Sequence, residues 1–212
     1  MTARYIVVEG VIGVGKTTLV RSLADRLNAR TVYEVFEENP FLGQFYADRQ
    51  RYAFPTEMFF LLSRFNQQEV FAQEDLLQQF SVSDYLFEKC RLFSSITLSA
   101  AEMTLFDRVY EILRRQVPKP DLVVHLHAPV DVLVSRIRSR GREYERGMDE
   151  DYLAQLDTQY REMFARYDDA RVISIDTTDI DFREPHMVDR LLETIRSGAS
   201  GDVEPELFRL EG

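Results

Sequence analysis

Several absences bound this chain before any motif does. It holds one cysteine, Cys90, in 212 residues, so no disulfide can form within the chain. The same scarcity argues against a structural zinc site and points to a reducing compartment. No apolar run approaches the roughly 20 residues needed to span a bilayer. The opening MTARYIVVEG passes into a strand-like apolar run with no charged leader or cleavage-type segment. A soluble, cytoplasmic protein without a membrane partner is expected. Positive charge is also in short supply, with 26 Lys and Arg against 36 Asp and Glu and a formal net charge of −10. A nucleic-acid polymer is therefore a poor partner, because such binding rests on neutralising backbone phosphates. A small anion held by a local basic cluster remains open. Internal repeats and low-complexity linkers are missing, so residues 1–212 are expected to form one domain.

What is present alternates short β-branched runs with longer helical patterns. RYIVVEG reads as a first strand, and GKTTLVRSLADRLN as the helix after it, with Leu19, Leu23 and Leu27 on one buried face. ARTVYEV is expected as the second strand. YAFPTEMFFLLSRFNQQEVFAQ is expected as a long helix burying Met58, Leu61, Leu62 and Phe65. QFSVSDY, DLVVHLHA and ARVISIDTT supply three more strands, and EKCRLFSSITLSAAEMTLFDRVYEILRRQV one or two helices between the first pair. Further helices follow in PVDVLVSRIRSRGREYERG, started by Pro129, in DEDYLAQLDTQYREMFARY and in PHMVDRLLETIRS. The Gly/Ser-rich acidic tail, about 198–212, is expected to be mobile. This pattern predicts an α/β fold with a five-stranded parallel sheet and helices on both faces. His125 and His127 alternate on a buried strand and read as core or interface side chains, not metal ligands.

After the first strand stands Gly10-Val11-Ile12-Gly13-Val14-Gly15-Lys16-Thr17, followed by Thr18. This Gly-x-x-x-x-Gly-Lys-Thr segment sits where a phosphate loop must, between a buried strand and a helix. Its glycines let backbone N–H groups wrap phosphates, the helix N-terminus adds partial positive charge, and Lys16 reaches the outer phosphates. Thr17 offers a hydroxyl to Mg²⁺. Such loops serve many enzymes. A GTPase would need an Asn-Lys-x-Asp guanine reader, which does not occur here, and a motor would need far more chain. A small kinase fits the length.

Arg136, Arg138, Arg140 and Arg142 fall within seven residues with no acid among them. The cluster should create local positive potential, and arginine's fork suits phosphate oxygens. Gly141 and Gly147 provide flexible ends for a closing loop. Glu34, at the end of the second strand, should place its carboxylate at the sheet's C-terminal edge, where open α/β folds bind ligands. Glu37 and Glu38 are its rivals. Glu57 and Arg64, seven apart, share one face of the long helix.

From about Arg4 to Asp181 the chain resembles the deoxyribonucleoside kinases, especially their bacterial purine-preferring branch. The resemblance is carried by VVEGVIGVGKTT, with Ile12 where thymidylate kinases usually have Asp, by ENPFLGQFYADRQRYAFPTEMFFLLSRF and by RIRSRGREYE. It implies a P-loop kinase fold with a small arginine-rich lid, about 138–148. ATP and Mg²⁺ would be the cofactors, a deoxyribonucleoside the small-molecule substrate, and a homodimer, or a heterodimer with a related kinase, the assembly. It implies that Glu34, five residues before Asn39-Pro40, is the base for the sugar hydroxyl, although Val35 follows where relatives have proline. Tyr46 would hold the 3′-hydroxyl, and Glu57 and Arg64 would read the base. Asp84 would support Mg²⁺ or touch the substrate. Lys16, Arg136, Arg140 and Arg142 would balance charge on the transferring phosphoryl, and Glu145 would close over the sugar. DTTDIDF, near residue 180, would pack on the donor's adenine.

Two departures matter. Relatives often have glutamine at position 57, and they carry an arginine directly after the acid at 84, where this chain has Tyr85. Lys89 is the candidate to replace that arginine. An ionised glutamate offers only acceptors and so complements the two adjacent donors of guanine better than the donor–acceptor edge of adenine. Deoxyguanosine is the expected substrate, with deoxyadenosine next. A nucleoside monophosphate kinase of thymidylate kinase type, or a low-activity regulatory subunit, are the alternatives.

Overall fold

The apolar run Tyr5–Gly10 forms strand β1, buried at every position, as a strand covered on both faces of a parallel sheet must be. In this computed structural model, which describes residues 3–74, 80–142 and 149–203, five further strands join it. They are β2 (Arg30–Val32), β3 (Ser81–Ser83), β4 (Leu122–His127), β5 (Arg171–Asp176) and β6 (Gly201–Val203). The order across the sheet is β2-β3-β1-β4-β5-β6, and every adjacent pair is parallel. Parallel neighbours need crossovers, which helices supply. The helices are α1 (Lys16–Leu27), α2 (Leu42–Ala47), α3 (Arg49–Glu74), α4 (Lys89–Thr97), α5 (Ala100–Arg114), α6 (Val130–Arg140), α7 (Glu150–Phe164) and α8 (Pro185–Ser197).

The sheet therefore has six strands where five are expected, and the sixth comes from the segment read as a mobile tail. Gly198 and Gly201 both have φ +82, which turns the chain back after α8. Gly201, Asp202 and Val203 then pair with Ile173, Ser174 and Ile175 of β5. Backbone hydrogen bonds and the burial of Val203 hold this edge, and side-chain pattern carries almost no trace of either.

Leu19 and Leu23 are fully buried on α1, with Leu27 at the margin of the same core. On α3, Leu61 packs with Phe87, Phe106 and Tyr110. Leu62, expected in that stripe, is 46% exposed, because it lies at the stripe's edge and the facing helices cover only its centre. The segment read as one or two helices is two. Ser99 accepts from the Glu102 N–H while the Glu102 carboxylate accepts from the Ser99 N–H, and this reciprocal cap starts α5. His125 is buried against Phe164, with ring centroids 4.3 Å apart. Burial depresses its pKa to about 3, so it is a neutral core side chain. No helix among the described residues is long and apolar enough to cross a membrane.

Candidate active site

Strands β1, β2 and β3 end on the same edge of the sheet, and a cavity of about 670 Å³ opens there, the position at which open α/β sheets bind ligands. At Gly10, φ is +150 and a Cβ would sit 2.1 Å from the Leu126 carbonyl oxygen, so only glycine lets β1 run this close to β4. Gly15 caps α1 with φ 108, turning the first N–H groups of that helix outward. Ile12 through Thr18 line the cavity. Gly10 and Val11, expected to bind with them, instead lie behind it: Gly10 presses on Leu126 and Val11 is fully buried. Lys16 folds over the loop, its Nζ donating to the carbonyls of Gly10 at 2.6 Å and Val11 at 3.1 Å. Burial, seconded by Lys89, lowers its pKa to about 8, against the pull of Glu9, Glu34 and Asp84. It remains a cation at neutral pH.

Glu34 lies two residues beyond β2 rather than at its end, and its backbone N–H donates to Asp84 Oδ1 at 2.7 Å instead of continuing the ladder. Its carboxylate is gripped from two sides. Arg64 donates through Nε at 3.0 Å and through Nη2 to Oε1. Lys89 Nζ donates to Oε2 at 2.7 Å. Burial alone would raise the Glu34 carboxyl, but these two cations hold it well below the usual carboxylate range. Lys89 in turn loses to burial but gains more from Glu34 and Glu9, so its pKa is raised. Glu37 and Glu38 are exposed and do not line the cavity.

Asp84, directly after β3, accepts from the Thr17 hydroxyl through Oδ2 at 3.2 Å, and burial raises its pKa. A hydroxyl and a carboxylate beside a phosphate loop are the hard oxygen donors that Mg²⁺ takes. That ion typically uses one or two protein ligands and fills its octahedron with waters and phosphates. The site fits the ion.

Glu57 and Arg64 both line the cavity from α3, and both are buried. They do not form an ion pair. Arg64 turns to Glu34 and to Cys90 Sγ, 3.1 Å from Nη1, whereas Glu57 meets the hydroxyls of Thr97 at 3.1 Å and Ser94 at 3.5 Å. Burial outweighs the field of Arg64 and pushes Glu57 up to about 7. Tyr46, on α2, lines the same space, along with Phe36, Phe45, Phe60 and Phe93.

Of the four clustered arginines, Arg136, Arg140 and Arg142 line the cavity, while Arg138 points away to Glu150 at 3.2 Å. Arg136 ties the loop after β5 to the phosphate loop. It donates to Thr177 Oγ1 at 3.0 Å, to the Thr177 carbonyl at 2.6 Å and to the Val14 carbonyl at 3.5 Å. The guanidinium of Arg142 lies 4.6 Å from the Phe36 ring centroid. Ile180, Asp181 and Phe182, from the segment expected near adenine, also line the cavity. Glu145 and Gly147, with most of the lid, lie outside the described residues.

The sequence matches the deoxynucleoside kinase family over residues 6–197. The chain belongs to that family. It is 33% identical over 186 residues to the deoxyguanosine kinase of Bacillus subtilis, covering 85% of this chain and 90% of that one. It is 30% identical to the deoxyadenosine kinase of Lactobacillus acidophilus, covering 84% of this chain and 88% of that one. The solved deoxyadenosine kinase of M. mycoides, with the products dCMP and dCDP bound, superposes with a TM-score of 0.78 over 91% of this chain and 99% of that one, at 21% identity. The protein is thus a deoxynucleoside kinase, a phosphotransferase with a nucleotide-binding site.

Sequence reasoning missed Ser94 and Thr97, the hydroxyl partners of Glu57, and one buried carboxylate of this kinase. Glu9, fully buried on β1, accepts from the Gly10 N–H at 2.8 Å, the Leu86 N–H at 2.8 Å and the Tyr160 hydroxyl at 3.0 Å. It pins the root of the phosphate loop to the chain after β3 and to α7. The available signal was a carboxylate in an otherwise apolar strand directly before the first loop glycine, which demands buried donors.

Proposed function

We propose that this kinase transfers the γ-phosphoryl of ATP to the 5′-hydroxyl of a purine deoxyribonucleoside, deoxyguanosine before deoxyadenosine, giving the 5′-monophosphate. The observation that carries the reading is the sharing of one cavity by the phosphate loop and the doubly held carboxylate of Glu34. The acceptor hydroxyl fits between them. The phosphate-loop N–H groups, Lys16, Arg140 and Arg142 bind and orient the triphosphate. Arg136 fixes the loop against which the adenine packs. Glu34 accepts a hydrogen bond from the 5′-hydroxyl and aims its oxygen at the γ-phosphorus.

A carboxylate paired with two cations is a weak base. That suffices here, because phosphoryl transfer passes through a loose transition state in which positioning and charge stabilisation dominate. The proton moves to Glu34 late, as the new P–O bond raises the acidity of the hydroxyl. Lys89 takes the role expected of the missing arginine in this reading: it holds Glu34 in place and adds positive charge beside the reacting oxygens. Thr17 and Asp84 would hold Mg²⁺, which would supply positive charge to offset that of the phosphates. Tyr46 binds the 3′-hydroxyl and crowds C2′ against a ribose.

Deoxyguanosine is preferred because Glu57 is left out of any ion pair and faces the pocket with acceptors. The test is to incubate the protein with ATP and Mg²⁺ against each deoxyribonucleoside, then each monophosphate. Deoxyguanosine should give the fastest formation of a monophosphate. Product from monophosphates alone, or from none of the set, would overturn the assignment.

A further inference from the structure

The two hydroxyls at Glu57 each have a second partner. Ser94 Oγ lies 2.8 Å from the Cys90 carbonyl oxygen and Thr97 Oγ1 lies 3.0 Å from that of Phe93. A hydroxyl has one proton to donate but can also accept. With Glu57 ionised, both protons turn to its carboxylate. With Glu57 protonated, the hydroxyl that meets the acid's O–H turns its own proton to its backbone carbonyl on α4 and accepts, while the other goes on donating to the second carboxyl oxygen. When the acid gives its proton to a ligand, both go on donating. The site satisfies either state without moving a heavy atom.

Nothing packed around Glu57 fixes one state. On its own helix, Arg64 commits Nε and Nη2 to Glu34 and Nη1 to Cys90. From α4, Cys90 faces it as a thiol whose pKa burial raises, alongside Ser94 and Thr97. From the chain after β2 comes the anion Glu34 and from α7 the neutral phenol of Tyr152, whose ring is covered at 4.3 Å by Arg49. Tyr46 of α2 adds a second phenol near Tyr152. A buried carboxyl between one shared cation and one anion, with adaptable partners, can take up or release a proton as its ligand demands.

We propose that Glu57 reads both purines by changing its protonation state: the carboxylate accepts from the two donors of guanine, and the acid gives one donor and one acceptor to adenine. This deepens the purine reading above and rests on it. The direction of the burial effect agrees, since it brings the carboxyl near neutrality. Linkage then fixes the sign. Rising pH favours the ionised form, so selectivity for deoxyguanosine over deoxyadenosine climbs with pH by as much as about tenfold per pH unit around neutrality.

The test is direct competition of the two nucleosides at subsaturating concentration with ATP and Mg²⁺, from about pH 5.5 to about pH 8.5. The product ratio should rise through this range in the native protein and stay level in Glu57→Gln. A second measurement needs no variant. Calorimetric titration in buffers of differing ionisation enthalpy should show proton uptake with deoxyadenosine above neutrality and proton release with deoxyguanosine below it. Turnover of both purines at a pH-independent ratio, a slope that persists in Glu57→Gln, or binding without proton exchange overturns this inference and leaves the purine reading standing. Failure to phosphorylate either purine at any pH overturns both.

Discussion

Two carboxylates 23 positions apart in the chain meet opposite fates in this cavity. Glu34 is gripped by Arg64 and Lys89 and held strongly acidic, whereas Glu57, with hydroxyl partners, is pushed up to about 7. Removing Lys89 with Lys89→Met should lower kcat about 10²–10³-fold, the usual loss when one preorganised donor is taken from a transition-state site. Lys89→Arg should recover part of it. Because Lys89 helps depress Glu34, the acid limb of the pH–rate profile should also move upward toward the ordinary carboxylate range in Lys89→Met. A purely structural lysine would leave that limb in place, and a kcat within about threefold of native would discard its role. Glu57 makes a separate stability prediction. Its folded pKa is raised, so the native state binds the proton more tightly than the unfolded chain, whose carboxyl titrates near 4.3. Its contribution is therefore full below about pH 4 and is lost as pH rises to about 7. Glu57→Gln should be more stable than native above neutrality by on the order of 3–4 kcal/mol, with the gap closing toward about pH 4, as measured by urea unfolding.

At the scale of elements, the strand-to-helix passage β1–loop–α1 sets the proposed phosphate site, and its sensitive point is Gly10. A Cβ there would stand 2.1 Å from a backbone carbonyl, which no side-chain rotation relieves. Gly10→Ala should cost about 2 kcal/mol or more, lowering the melting midpoint by roughly 4–8 °C for a chain of this length. An unchanged thermal midpoint would contradict the close approach of β1 and β4. The order of the long strands and helices was readable from period and punctuation because each carries its own apolar stripe, whereas the six-residue α2 is too short to show one. The edge strand β6 was not, since its three residues hold their place through backbone pairing. The partner of Arg64 was also hidden. Spacing put Glu57 seven residues away on the same helix face, but a long side chain in a packed core reaches across to another element, and Glu34 is reached from there.

Over the whole molecule, the net charge of −10 conceals a local reversal. Lys16, Arg64, Lys89, Arg136, Arg140, Arg142 and Arg183 line one cavity, where they outnumber the acids Glu34, Glu57, Asp84 and Asp181. That the phosphate-loop motif, Glu34, Arg136, Arg140 and Arg142 would share one cavity was legible in the sequence, because their proposed chemistry demands particular residue types at fixed spacings. Glu9 and the dual grip on Glu34 could not, because they depend on which strand ends the fold brings together. The central claim is that an unphosphorylated 5′-hydroxyl lies between Glu34 and the phosphate loop. A crystal structure of the protein with deoxyguanosine and a non-hydrolysable ATP analogue tests it most directly. The account predicts the 5′-oxygen within hydrogen-bonding distance of the Glu34 carboxylate and in line with the γ-phosphorus, with the purine edge at Glu57. A nucleoside seated with its 5′-oxygen away from Glu34 would contradict it.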